Sequence, residues 1–202
     1  RVISGHSVEV LSEKTFEMRI EHRFGDIAGD NGGVQTMFGF DNVSDMRIAL
    51  EYGVTKNLML GFGRCKGTGM PYRSLLDGFV KYRFLEQVKD SIPLSLTLVG
   101  GASFTYQRAS SDISNVNHFP KSIHRFAYFT QLNLARRFGK FMSVSLMPTL
   151  VHRNYVANAD INTLFTLGGA VRVKLSKKFF FLTEYYHCFN GSTFRQQDYQ
   201  NS

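Results

Sequence analysis

Charged side chains occupy every second position of the stretch FEMRIEHRF, and these are the residues whose types and spacing are best suited to chemistry. Glu17, Arg19, Glu21 and Arg23 alternate with mostly apolar neighbours. Alternation places all four on one face of a β-strand, whereas a helix would scatter them around its circumference. On the inside of a barrel, such charges would attract small charged solutes and set selectivity.

The same one-sided placement of charge recurs along the chain, so the candidate site is spread over several strands. Basic residues outnumber acidic ones in it, which predicts a lumen that attracts small anions, for passage or for binding. Opposite charges are close neighbours in the first two strands, so a salt-bridged interior that plugs a narrow barrel is an open alternative. The predicted lumen charges are Glu17, Arg19, Glu21, Arg23, Arg47, Glu51, Asp77, Lys81, Arg83, Arg137, Arg153, Arg172 and Lys174, with Asp45 and Glu184 as further acidic members.

Other arrangements of reactive side chains carry weaker signals. Ser and His residues have no spacing that indicates a catalytic triad, so we expect no enzyme, no cofactor and no metal. His22, His152 and His187 fall near one predicted end of the sheet, where an interfacial belt explains them better than a metal site. Carboxylates of the first long loop, among them Asp26 and Asp30, are more typical of turns than of calcium binding.

The overall charge predicts anionic partners. The 202 residues carry a formal net charge of +8, which favours contact with anionic surfaces or small anions. Lys and Arg are scattered without an aromatic and basic RNA signature, so we expect no nucleic acid partner. Contact with outer-membrane lipid or lipopolysaccharide phosphates and docking of a partner protein both stay open. The basic residues beside the predicted long loops are Arg64, Lys66, Arg73, Lys121 and Arg125.

The composition predicts strands. Aromatic residues make up 14% of the chain, and there are 18 Gly but only 4 Pro, as in sheets that bend and pack closely. No apolar run in this sequence is long enough for a transmembrane helix. Cys65 and Cys188 form no framework and no metal-binding motif, so we expect two free thiols.

Period-two alternation predicts nine strands and an all-β fold. Several of them run longer than the roughly 5–6 residues typical of soluble sheets and match the roughly 9–11 residues that a tilted strand needs to cross a membrane. The predicted strands are Thr15 to Phe24, Asp45 to Val54, Leu58 to Arg64, Leu76 to Phe84, Pro93 to Gln107, Arg125 to Phe138, Phe141 to Tyr155, Asn162 to Leu175 and Phe179 to Phe189.

The connections between the predicted strands alternate strictly between short and long. Short turns carry Lys56, Lys140 and Lys177, and longer loops follow at the other end. This layout is typical of an antiparallel up-and-down outer-membrane barrel with tight periplasmic turns. A soluble, lipocalin-like barrel would turn its apolar face inward, but its dry interior would not tolerate four charges on one strand. The sequence therefore favours a transmembrane barrel with its apolar face outside.

Nine strands is an odd number for a barrel, because bacterial single-chain barrels have even counts. We expect one domain over residues 1–202 and about twelve strands when the barrel is complete. Residues 1–14 are predicted to be an N-terminal periplasmic segment. Residues 190–202 are predicted to be a loop that leads to further strands.

Four stretches carry a resemblance to a known family. They are FEMRIEHRFGD (16–26), FGFDNVSDMRIALEYGVTKNLMLGFGR (38–64), DGFVKYRFLEQ (77–87) and FLTEYYHCF (181–189). Together they resemble a family of Bacteroidota outer-membrane β-barrel proteins whose function is not established. The resemblance implies a barrel in the outer membrane with a longer C-terminus, and it implies no activity and no catalytic residues.

Overall fold

Nine antiparallel strands form one sheet in which each strand pairs with the next along the chain. The computed structural model describes residues 5–24, 33–41, 43–67, 73–113, 115, 117–156 and 160–190. The strands are β1 (Phe16–Phe24), β2 (Val43–Gly53), β3 (Leu58–Gly67), β4 (Ser74–Leu85), β5 (Ser95–Thr105), β6 (Phe126–Phe138), β7 (Met142–Arg153), β8 (Thr163–Lys174) and β9 (Phe180–Cys188). The predicted all-β, nine-stranded meander is confirmed.

Two short 3-10 helices, Val34–Thr36 and Ser122–Arg125, complete the regular structure of the described residues. No helix in this described part of the chain is both long and apolar enough to cross a membrane.

The sheet has two distinct ends. At the tight-turn end, β2 joins β3 through residues 54–57, β6 joins β7 through 139–141, and β8 joins β9 through 175–179. At the long-loop end, the chain connects β1 to β2, β3 to β4, β5 to β6 and β7 to β8. The prediction of strict alternation is wrong at one point. Pairing of β3 with β4 continues to Lys66 and Ser74, so the 68–73 loop is shorter than the tight-end connection 86–94.

The two faces of the sheet differ in chemistry, and apolar residues dominate the exposed one. On the outer face, Phe62 is 59% exposed and Leu146 is 47% exposed. On the inner face, Met147 is fully buried, and the charged side chains of Glu51 and Lys81 are each 2% exposed. A soluble protein would show the opposite arrangement. The outer face therefore suits lipid, as the alternation predicted.

The sheet curls around residues 5–12, which we call the N-terminal segment. A Cβ built at Gly53 in β2 would lie 2.1 Å from the Ser12 carbonyl oxygen, and Gly5 bonds to Glu184 in β9. Seven extended residues span about 24 Å, whereas β2 and β9 would lie about 34 Å apart in a flat sheet. The segment can touch both strands only because the sheet is curved.

The edge strands of this sheet are β1 and β9. Asn190 extends the pairing after β9, because its side chain accepts from Phe165 N at 2.8 Å and donates to Thr163 O at 2.9 Å. The predicted loop over 190–202 otherwise lies outside the described residues, as do Asp26 and Asp30 of the first long loop. The count of about twelve strands stays a prediction.

Candidate functional site

All the predicted lumen charges lie on the inner face, but they divide into groups with different surroundings. The first group is an ion-pair network on β1, β2 and β4. At its centre, Arg47 donates to Glu21 Oε2 at 3.2 Å and to Asp77 Oδ2 at 2.9 Å. Arg47 is only 8% exposed. One buried guanidinium therefore links two carboxylates from two strands, a geometry that suits its planar set of donors.

The network reaches across β3 because the inner face of that strand is nearly bare. Gly63 pairs with Asp77 of β4 and with Ala49 of β2, which lies two residues along the strand from Arg47. A Cβ at Gly63 would come within 2.7 Å of Arg47 Nη2 and 2.9 Å of Asp77 Oδ2. The glycine therefore leaves the space in which charges from non-adjacent strands meet.

A second pair of bonds extends the network toward the tight-turn end. Arg19 Nη2 lies 2.6 Å from Glu17 Oε1 and 3.3 Å from Glu51 Oε2. The Glu51 side chain is 2% exposed, and its Oε1 has no hydrogen-bond partner among the described residues. The predicted proximity of opposite charges in β1 and β2 thus takes the form of direct ion pairs.

The N-terminal segment, which is part of the predicted periplasmic segment 1–14, lies along the middle of the inner face. Side chains of the strands bind its backbone. Lys81 Nζ donates to Glu9 O at 3.1 Å, and Thr97 Oγ1 donates to Val8 O at 3.1 Å. Lys81, predicted as a lumen charge, therefore binds the backbone of this segment.

The segment also packs against apolar and aromatic residues of the lumen. Met59, Phe79 and Val99 form a buried cluster that contacts Val10 and Leu11. These hydrophobic side chains of the inner face thus have a partner in the chain itself, which removes their surface from water.

A cavity of about 620 Å³ opens beside the segment at the tight-turn end. We call it the basic cavity, because its lining contains five basic and two acidic residues. The Arg137 guanidinium is 70% exposed, and its nearest acid, Glu9, is 3.7 Å away and equally exposed. Lining residues include Ser7, Glu9, Arg83, Glu86, Lys89, Arg136, Arg137, Ser143, Ser145 and Arg172.

Two arginines of the basic cavity differ in how neighbouring groups engage their guanidinium donors. Arg83 Nη2 bonds to Lys56 O and to Glu86 Oε2, both at 2.9 Å. Arg172 is exposed and lies over the Phe180 ring at 4.1 Å. A guanidinium stacked on an aromatic ring keeps its edge donors available for a planar anion.

The remaining predicted charges lie apart from the network and the cavity. Arg23 pairs with Asp45, and Arg153 pairs with Ala127, in the register near the long-loop end. Lys174 lies at the tight-turn end, 5.9 Å from the Phe180 ring. The structure therefore brings Arg83, Arg137 and Arg172 together and leaves these others elsewhere.

The histidines near the long-loop end belong to aromatic contacts. His152 stacks on Tyr128 with ring centroids 6.5 Å apart, and His187 meets Phe189 edge-on at 4.9 Å. Within the described residues, no group of three or more His, Cys, Asp or Glu side chains could hold a metal ion. Cys65 and Cys188 are free thiols, as predicted.

Comparison with protein families identifies a family for this chain. A family model described as a membrane bound beta barrel domain (DUF5777) matches residues 1–202. The chain belongs to this family. For a membrane barrel, the exposed apolar residues of the outer face are the lipid-facing ones and the inner face lines the lumen. No curated protein matches the chain.

Neutral polar residues of the lumen were missed by sequence reasoning, which searched for charge. Gln131, Asn133 and Thr166 are at most 7% exposed on the inner face. Gln131 Nε2 donates to Thr149 Oγ1 at 3.0 Å and to Tyr186 Oη at 3.1 Å. Alternation already placed Gln131, Asn133 and Thr166 opposite bulky apolar residues, so that pattern was the available signal.

Proposed function

We propose that this protein is a non-enzymatic barrel of the bacterial outer membrane that binds a small anionic solute in the basic cavity. The observation that carries the proposal is the convergence of Arg83, Arg137 and Arg172 on one cavity, with the Ser143 and Ser145 hydroxyls as further donors. The volume of the basic cavity falls in the range of about 300–1,000 Å³ that is typical of small-molecule sites. Arginine forks and hydroxyl donors suit carboxylate or phosphate groups.

Binding fits the interior better than free passage. The N-terminal segment occupies the middle of the lumen, and the Arg47 network occupies part of the inner face of β1 to β4. A solute that enters at the tight-turn end meets the cavity first and the segment behind it. The cavity therefore acts as a receptor site, and passage requires the segment to move.

The proposed location and orientation follow the architecture of outer-membrane barrels. Tight turns of such barrels face the periplasm, so the basic cavity opens toward the periplasm. The resemblance to Bacteroidota outer-membrane barrels supports the same location. At the long-loop end, Arg64 and Lys66 are exposed, and we expect them to contact lipopolysaccharide phosphates.

Calorimetric titration of the detergent-solubilised full-length protein with phosphate, citrate and succinate tests the anion site. We expect saturable binding of at least one anion, weakened by salt because charged groups make the contacts. The double variant Arg137→Ala/Arg172→Ala should weaken it at least tenfold, because hydrogen bonds to charged groups contribute about 1.5–3 kcal/mol.

Two controls make this result specific. Arg137→Lys/Arg172→Lys keeps the charge and should retain part of the affinity. Arg64→Ala, on the outer face, should leave the affinity unchanged. Absence of binding by all three anions, or equal affinity in the double alanine variant, would contradict the proposal.

A structural or accessory barrel that docks a partner protein is the second candidate. The filled interior favours it, because an ion-paired lumen that holds its own segment needs no solute. Affinity purification of the tagged protein from outer membranes distinguishes the two. A stoichiometric partner together with no anion binding would favour the accessory role.

A further inference from the structure

We propose that the lumen contains a peptide-binding site and that the N-terminal segment is a self-peptide held there reversibly, so that its release opens the lumen. This proposal does not depend on the anion site. It concerns the middle of the inner face, where the structure shows side chains of four strands directed at one stretch of backbone.

Recognition of main-chain groups is the first argument. Gly5 N donates to Glu184 Oε1 at 2.9 Å, and His6 N donates to Gln131 Oε1 at 3.0 Å. Thr97 and Lys81 donate to the next carbonyls along the segment, as described above. Donors and acceptors from β4, β5, β6 and β9 thus match backbone groups that every peptide has.

Selectivity for this particular peptide is the second argument. A Cβ at Gly5 would lie 2.0 Å from Tyr186 Oη, so only glycine fits there without movement of the ring. The His6 ring lies 4.5 Å from Phe79 in an edge contact and 5.7 Å from Phe129 in a stack. The site therefore selects glycine followed by a flat ring, with an apolar pair further on.

Reversibility is the third argument. Residues 5–12 form no strand with the sheet, so they can leave without breaking a ladder of backbone hydrogen bonds. Asn133 is fully buried, and neither polar atom of its amide has a hydrogen-bond partner among the described residues. It lies beside Thr97 in the register. Because Thr97 bonds to Val8 of the segment, we expect release of the segment to let water reach the neighbouring Asn133 amide, which favours the open state.

Planar-bilayer conductance of the full-length protein provides the test. We expect the parent to conduct weakly and an in-frame deletion of residues 5–12 to conduct at least tenfold more. A synthetic peptide GHSVEVLS, added to the deletion variant, should reduce the current in a saturable way. A scrambled peptide and a peptide with Trp in place of the glycine should have no effect.

A point variant keeps the test decisive if the deletion fails to fold. Gly5→Trp should release the segment by collision with Tyr186 and raise conductance, whereas Glu13→Trp, at an exposed turn, should not. Heat-modifiable gel mobility checks that each variant is folded. Unchanged conductance in a folded deletion or Gly5→Trp variant would overturn the proposal. A raised current that the peptide fails to reduce would also overturn it, because the segment would then be only structural packing.

The conductance measurements can be distinguished from the calorimetric measurements that test the anion site. The conductance test uses potassium chloride alone and leaves Arg137 and Arg172 unchanged, whereas the calorimetric test leaves the segment unchanged. Failure of one therefore does not produce failure of the other.

Discussion

The inner face of β1 to β4 and that of β6 to β9 belong to the same sheet, yet they satisfy their polar groups in different ways. In the first region, Arg19 and Arg47 pair with carboxylates on other strands of the sheet. In the second, Gln131 links Thr149 and Tyr186 through neutral hydrogen bonds, and the exposed Arg137 and Arg172 border the basic cavity.

Under the proposed function, the lumen charges of the two regions have different roles. In the β1 to β4 region, charge is compensated by ion pairs. These pairs make a fixed wall of the lumen, because a buried ion pair is costly to break. Weakly compensated charge in the β6 to β9 region leaves donors available for a ligand. The excess of basic residues therefore indicates where a ligand could bind only when the residues in ion pairs are left out of the count.

The largest expected effect is loss of the central cation in the first region. Arg47→Ala would remove the buried central guanidinium from the half-buried Glu21 and Asp77 carboxylates. Removal of one member of a buried ion pair costs about 3–5 kcal/mol. We expect the free energy of unfolding to fall by that amount, measured from the heat-modifiable gel band across a guanidinium titration.

A rescue variant tests the cause of that loss. Arg47→Ala/Asp77→Asn removes one stranded carboxylate, so it should recover part of the lost stability. An equal loss in both variants would mean that packing of the arginine stem, rather than charge, sets the stability of this region.

The strands and the orientation of their faces could be predicted from the sequence, because alternation along a strand fixes which side chains share a face. Ion pairing of Arg47 with Glu21 was also within reach, since both lie in adjacent strands. Asp77 was not, because its contact crosses β3 through the space that Gly63 leaves. A glycine at an inner-face position carries no charge signal.

The position of the N-terminal segment inside the sheet could not be predicted either, but for a different reason. The SVEVL stretch (7–11) alternates like a short strand, and nothing local says that it lies inside the sheet. Its place depends on long-range partners such as Thr97 and Gln131, which are far away in the sequence. The basic cavity was missed with it, because the segment forms one of its walls.

An intermediate effect is expected in the second region, where the buried network is neutral. Gln131→Leu removes the acceptor of His6 N and the donor to Thr149 Oγ1. Leaving buried polar groups without a partner costs about 1–3 kcal/mol. The same guanidinium titration should show a loss smaller than that of Arg47→Ala. Thr130→Leu, on the exposed outer face of the same strand, is the matched control and should be neutral.

If Gln131→Leu were as destabilising as Arg47→Ala, the contrast between the two regions would not hold, because a neutral network would then fix its wall as firmly as a charged one. If instead it were neutral, the segment would gain nothing from this contact. Peptide binding to the deletion variant would then have to rest on Glu184, Thr97 and Lys81.

The smallest expected effect concerns Arg137, which has the same side chain as Arg47 in the opposite surroundings. Its pair with Glu9 is 3.7 Å long and about 70% exposed on both sides, and such surface pairs contribute about 0–1 kcal/mol. Arg137→Ala should therefore change the free energy of unfolding by less than about 0.5 kcal/mol while it weakens anion binding. A loss of stability close to that of Arg47→Ala would show that the cavity rim is part of the fixed wall, and the distinction between compensated and available charge would fail.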